Sequence, residues 1–175
     1  IISNELYQVI FKYELLNQNQ ENSIIDTIQY SSALPYYYNF NSEDAIAITN
    51  WDIGFSLTPV FSTDLQSYQA MPSILLNMSS EIKVSMFEDF TYEQKIDTTN
   101  ITWYVESNHS RQLGYNGTLQ VIWYHPEPPY YHKAIVEFPN RIYIIDNLNA
   151  MYKIIFNEYN SGFLSYKYKK YEIFN

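Results

Sequence analysis

Apolar and polar residues alternate along most of this chain with a period of two, the spacing that sends successive side chains to opposite faces of a β-strand. In residues 5–16, Tyr7, Val9, Phe11, Tyr13 and Leu15 share one face, with Gln8, Lys12 and Glu14 on the other. A strand is expected there. Residues 17–23 contain no apolar side chain and read as a solvated hairpin loop into a second strand over 24–30. Further β-like runs follow at 36–40, 45–48, 51–57, 81–87, 101–106, 119–124, 134–138, 141–145, 151–159 and 163–174. Strands this short, separated by Asn, Ser, Gly or Pro, form antiparallel hairpins rather than βαβ units. The expected fold is therefore all-β, with antiparallel strands in a single domain covering 1–175. Residues 62–78, which include Leu65, Tyr68, Met71 and Pro72, break the pattern, and a long irregular loop is expected there. Pro126, Pro128 and Pro129 mark a brief bend between strands, and neither a fixed-period repeat nor an interdomain linker is visible.

Composition sharpens this picture. The chain of 175 residues carries 19 Tyr and 10 Phe but only 4 Gly, a balance suited to pleated, half-buried surfaces. It has no cysteine, which excludes disulfides, thiolate metal sites and a cysteine nucleophile. The formal net charge of −9 repels a phosphate backbone, and basic residues gather only at Lys167, Lys169 and Lys170, so nucleic acid is not an expected partner. No apolar run reaches the roughly 18 residues of a membrane-spanning helix. The start, Ile1-Ile2-Ser3-Asn4-Glu5, lacks the basic and apolar regions of a signal peptide, so the chain reads as mature or truncated, compatible with a lipid anchor attached upstream of Ile1.

Two blocks of sequence carry a recognisable pattern. The first is Tyr36-Tyr37-Tyr38-Asn39-Phe40, a polar connection, then Asn50-Trp51-Asp52-Ile53-Gly54-Phe55. Alternation would place Trp51, Ile53 and Phe55 on one face, with Trp51 as a core anchor, and Asp52 and Gly54 on the other. The second runs Arg141-Ile142-Tyr143-Ile144-Ile145-Asp146, a turn, the strand from Met151 to Tyr159, and Ser161-Gly162-Phe163-Leu164-Ser165-Tyr166-Lys167-Tyr168. Together they resemble the HmuY family of haem-binding surface lipoproteins of Bacteroidetes: the first is similar to its aromatic strand and "WDIAF"-type strand, the second to its closing meander. The frame covers about residues 36 to 168, with a poor match in the middle third. Asn149-Ala150 stand where the family has a turn glycine, and Asn tolerates left-handed geometry.

The resemblance implies a lipid-anchored protein of the outer-membrane surface, or a secreted one, that captures haem and passes it to a TonB-dependent receptor. Family members hold haem iron between two axial side chains on neighbouring hairpins, a His pair in some and a Met pair in others. His and Met are the neutral side chains suited to that role. The candidates here are His109, in a polar turn; His125 and His132, which bracket the proline-rich aromatic bend; and Met86, in the poorly matched region. A pair of His109 with His132, or Met86 with one of the histidines, is the arrangement to test. Met71, Met78 and Met151 have packing roles as their simpler reading.

Other chemistries find little footing. There is no nucleophile elbow, no phosphate-binding glycine loop and no zinc-type His spacing, and carboxylate pairs such as Glu88 and Asp89 suit a solvated face, so no enzyme is expected. Four Asn-x-Ser/Thr triplets, at Asn77, Asn100, Asn108 and Asn116, match the N-glycosylation pattern. The alternative to a haem carrier is a HmuY-like accessory subunit of an outer-membrane complex without haem, for which the abundance of Tyr supplies interface area. A carbohydrate-binding module stacking on Tyr130 and Tyr131 is a third reading.

Overall fold

The computed structural model describes residues 24–29, 35–40, 44–45, 50–63, 65–78, 81–106, 112–114, 117–125, 128–129, 133–160 and 162–171. The strand expected over 5–16 lies outside them. Among the described residues the regular elements are twelve β-strands: β1 (Ile24–Gln29), β2 (Tyr36–Asn39), β3 (Asp44–Ala45), β4 (Ile53–Ser62), β5 (Ser67–Leu76), β6 (Lys83–Phe87), β7 (Tyr104–Val105), β8 (Ile122–His125), β9 (Lys133–Val136), β10 (Ile142–Asp146), β11 (Met151–Asn160) and β12 (Phe163–Tyr171). The all-β expectation holds. A large sheet has the order β1-β12-β11-β10-β6-β7, a smaller one β3-β2-β4-β5, and β8-β9 forms a separate two-stranded ribbon.

The meander β10-β11-β12 supplies the backbone of the large sheet. Its second turn has Gly162 at φ 89°, a left-handed position that suits glycine. The first turn departs from expectation. Leu148, rather than Asn149, adopts the positive φ of 69°. Side chains hold it there: Asp146 Oδ1 accepts from the Leu148 amide at 2.9 Å, and Asn147 Oδ1 accepts from the amides of Asn149 and Ala150. In β11 the register slips by one residue between Phe156 and Glu158, and this bulge lets both Phe156 and Tyr159 approach the same core.

The main core lies between the two sheets and is largely aromatic. Tyr38, Phe40 and Phe55 of the smaller sheet meet Tyr152, Tyr166 and Tyr168 of the larger one. Phe40 stacks on Tyr152 with centroids 4.7 Å apart, Phe55 stacks on Tyr166 at 5.5 Å, and the Tyr38 and Tyr168 hydroxyls bond to each other inside the core.

Trp51 is not part of it. The Trp51 ring packs on Tyr37 at 4.7 Å, against the face where Gly54 leaves room; a Cβ at Gly54 would lie 3.0 Å from the Tyr37 ring. Asp52 turns inward in its place, because β4 begins only at Ile53 and the preceding backbone leaves the alternation. The Asp52 amide donates to Tyr38 O, its Oδ2 accepts from the Phe40 amide at 2.8 Å and from Asn147 Nδ2 at 3.2 Å, and its carbonyl accepts from the Asn77 amide. One residue, through its carboxylate and its backbone, thereby joins β2, the entrance to β4, the exit of β5 and the β10–β11 turn.

The reverse face of the large sheet is covered by the strap of residues 88–103. Phe90, Ile96 and Trp103 from the strap pack with Ile142, Ile144, Phe87 and Met151. Lys153 is 1% exposed beneath it and donates to the carbonyls of Tyr92 and Gln94. Lys167 and Lys169 sit beside it over the Tyr92 ring and pair with Glu93, so two members of the chain's basic cluster are engaged internally.

The segment 62–78 is a correction to the sequence reading. It is mostly strand β5, which pairs with β4 over ten residues from Ile53↔Leu76 to Ser62↔Ser67. Pro72 obscured it. In antiparallel ladders only alternate pairs exchange hydrogen bonds; Leu57↔Pro72 and Pro59↔Ala70 are two residues apart and belong to one class, so a single phase of the ladder accommodates both prolines.

Two predictions follow from these features. Leu148 is 61% exposed and strained, so Leu148→Gly should stabilise the fold by about 1 kcal/mol in denaturant unfolding; destabilisation would mean that the turn needs the leucine side chain. Burial raises the Asp52 carboxyl above its ordinary value of 3.8, against the lowering effect of its two hydrogen bonds. A carboxyl whose folded pKa is raised binds its proton more tightly when folded, so it costs stability as pH climbs from the unfolded pKa through the folded one. Unfolding measured from about pH 3.5 to pH 7 should show Asp52→Asn gaining on the native chain as pH rises; a pH-independent difference would contradict the inward carboxylate.

Candidate functional site

The region between β7 and β9 is where the chain leaves the two sheets, and it carries the three histidines. β7 is anchored to β6 by Lys83↔Val105 and Val84↔Tyr104. Residues 107–111 follow Glu106 and lie outside the described residues, which resume at Gln112. The two ends are tied: Gln112 donates its amide to Glu106 Oε2 at 3.2 Å and its side-chain Nε2 to Val105 O at 3.0 Å. His109 lies within 107–111, outside the described residues.

From Gln112 the chain crosses a short buried platform. Gln112 O accepts from the Leu119 amide at 2.8 Å, and Leu113, Leu119 and Val121 are each no more than 2% exposed in the main core. Val121 O then accepts from the Glu137 amide at 3.1 Å, which closes the base of the β8–β9 ribbon. The ribbon is paired from Ile122↔Val136 to His125↔Lys133. Of residues 126–132, which join β8 to β9, Pro128 and Pro129 are described and His132 is not. Glu106 and Gln112, which flank residues 107–111, lie beside this platform, whereas residues 126–132 join the far end of the ribbon, past His125 and Lys133.

His125 is the histidine whose surroundings are described. Its Nε2 lies 2.6 Å from Glu137 Oε2, with both side chains about a quarter to a third exposed. That contact occupies the ring nitrogen farther from the backbone, the one best placed to reach a ligand. Trp123 stands on the same outward face of β8, 40% exposed.

The methionines divide differently. Met86 pairs with Tyr143 across β6 and β10 and packs against the main core, so its thioether serves packing. Met151 packs in the smaller core behind the large sheet. Met78 is 55% exposed just past β5, and Met71 is half-buried within that strand. Met86 is thus engaged with the core and His125 with Glu137, and the described residues contain no cluster of three His, Asp or Glu suited to a metal ion.

Of the glycosylation triplets, Asn77 is 4% exposed and donates Nδ2 to Trp51 O at 2.9 Å, so a glycan there is incompatible with the folded chain. Asn100 is exposed in a turn of the strap. Asn108 and Asn116 lie outside the described residues.

Known proteins offer no match. The chain matches no protein-family model, no curated protein and no solved structure.

The platform itself escaped the sequence reading. Its hydrogen bonds run between Gln112, Leu119, Val121 and Glu137, residues without periodic spacing, and Gln112 in particular looks like an ordinary loop residue until its burial is known.

Proposed function

We propose that this chain is a HmuY-like haem-binding protein of the cell surface, with His109 and His132 as the axial ligands of the haem iron. The observation that supports the reading is the all-β architecture with the antiparallel meander β10-β11-β12 closing the large sheet, the arrangement that the resemblance to that family implies. His125 is set apart from the pair by Glu137, which holds its Nε2. In this reading the carrier sits on the outer membrane through a lipid anchor, or is secreted, and passes haem to a TonB-dependent receptor. The net charge of −9 gives no attraction for the haem propionates, so affinity rests on iron ligation and apolar contact.

The engagement of His125 and Met86 within the fold favours a second reading, an accessory subunit of an outer-membrane complex that binds no haem. A haem titration of the purified chain in oxidised and reduced states separates the two. The haem carrier gives a saturable Soret shift at equimolar haem with low-spin visible bands. His109→Ala and His132→Ala should each abolish those bands and weaken binding by about 100-fold or more, beyond the effect of losing an outer-shell partner, while His125→Ala leaves the bands in place. A spectrum identical to free haem in buffer would eliminate the carrier, and loss of the bands in His125→Ala would move the ligand assignment to that residue.

A further inference from the structure

Glu88 and Arg141 meet where the β6–β10 ladder ends. Its last pair is Ile142↔Phe87, so the next residues outward, Arg141 and Glu88, are cross-strand neighbours, and alternation puts Arg141 on the same face as Tyr143. The turn before β10 sets what covers them. Pro139 stands at its second position, where a fixed φ near −65° suits the bend, and the Arg141 amide closes the turn on Phe138 O at 3.0 Å. This closure lays the Phe138 ring over the Arg141 guanidinium, with Cζ 3.7 Å from the ring centroid.

The guanidinium has fewer partners than its burial calls for. The Arg141 side chain is 10% exposed; its Nη2 donates to Glu88 Oε1, while Nε, also buried, has no hydrogen-bond partner. A buried orphan donor on a charged group is costly and needs a reason. Nε and Nη2 belong together, because their N–H bonds leave one edge of the planar group in parallel, at the spacing of the two oxygens of a carboxylate. Glu88 therefore fills half of a fork. It does so with a side chain that is 57% exposed and lies past the last ladder pair, so it can swing into solvent without disturbing a strand. Tyr143 lies beside the fork: burial pushes its phenol up to about 12, against the lowering effect of Arg141, and it stays protonated as a donor.

We infer that Arg141 anchors a carboxylate-binding site, whose ligand displaces Glu88 and takes both arms of the fork. The ligand is a monocarboxylate with an apolar body. A phosphate dianion fits the same fork, but it meets the acidic rim of Glu88 and the adjoining Asp89 and the field of a chain of net charge −9. One negative charge matches the single guanidinium, and Phe138, 46% exposed, offers its ring to the apolar body. Glu88 is then a tethered competitor that closes the fork when no ligand is bound.

Saturation-transfer proton NMR of the haem-free chain with benzoate tests this, with acetate and inorganic phosphate in parallel at matched ionic strength. The native chain should bind benzoate weakly. Glu88→Ala, at an exposed position, should bind it about tenfold or more tightly, since the competitor and its charge are gone. Arg141→Lys keeps the charge but not the fork, and should abolish that gain in the Glu88→Ala background. Phe138→Ala in the same background removes only an exposed ring, and should weaken benzoate while leaving acetate unchanged; if Arg141→Lys loses the fold, this variant decides alone. Absence of saturable benzoate binding by Glu88→Ala at about 10 mM overturns the inference. So does benzoate binding indifferent to Arg141→Lys or to Phe138→Ala, or displacement of benzoate by phosphate in preference to acetate. The haem titration has no bearing on any of these results.

Discussion

The bond between the Tyr38 and Tyr168 hydroxyls is the constraint on which the two-sheet arrangement turns. Burying a tyrosine hydroxyl without a partner costs on the order of 1–3 kcal/mol, so two tyrosines can face each other across a dry core only in a register that brings their tips together. Strand registers are otherwise open to slippage, and a slip of one residue would turn Tyr168 to the strap side and strand Tyr38. The rings around them add direction to the apolar contact. Tilted and stacked pairs such as Phe40 with Tyr152 and Phe55 with Tyr166 contribute about 0.5–1.5 kcal/mol each beyond area alone. The abundance of tyrosine in this chain thus has a structural use: it fills volume while specifying register.

Covering the large sheet on both faces changes what its strands must look like. Ile142, Tyr143, Ile144 and Ile145 are all buried, the even-numbered Ile142 and Ile144 under the strap and Tyr143 and Ile145 in the aromatic core. A buried strand of this kind reads as a continuous apolar run. The strap is coil, so its carbonyls need donors; Lys153 supplies an ammonium to two of them, and its own burial is compensated by those bonds and the neighbouring Tyr92 ring. Lys153 therefore holds irregular backbone onto a regular sheet.

The same physics explains what was legible in the residues beforehand. The closing meander was, because its strands are rich in β-branched and aromatic residues and its turns are short. β5 was not, because Pro72 is a strong negative signal for a central strand and only the pairing register reveals that it falls on an edge where its missing donor costs nothing. Trp51 and Asp52 exchanged roles for a related reason: alternation extrapolates a strand from residue 51 that in fact starts two residues later, at Ile53, and a carboxylate is ranked as exposed unless its partners are known, which here are the distant Phe40 and Asn147. At Leu148 the left-handed turn is enforced by the flanking Asp146 and Asn147 side chains, so the residue in that conformation is not the one its own preference selects. The histidines could be placed between strands from sequence, but the buried platform beside them could not, since it depends on contacts among Gln112, Leu119, Val121 and Glu137.

The base of the β8–β9 ribbon is a continuation of the core. Leu113, Leu119 and Val121 are buried in it, and Gln112 ties their backbone to Val105 and Glu106 at the end of β7. The platform thereby borrows rigidity from the aromatic seam, and the entropy of ordering it is met by folding. The β4–β5 hairpin grows from the same core: Ile53 and Ile74 are buried at its base, while Phe61 and Tyr68, on the same face, are exposed towards its turn.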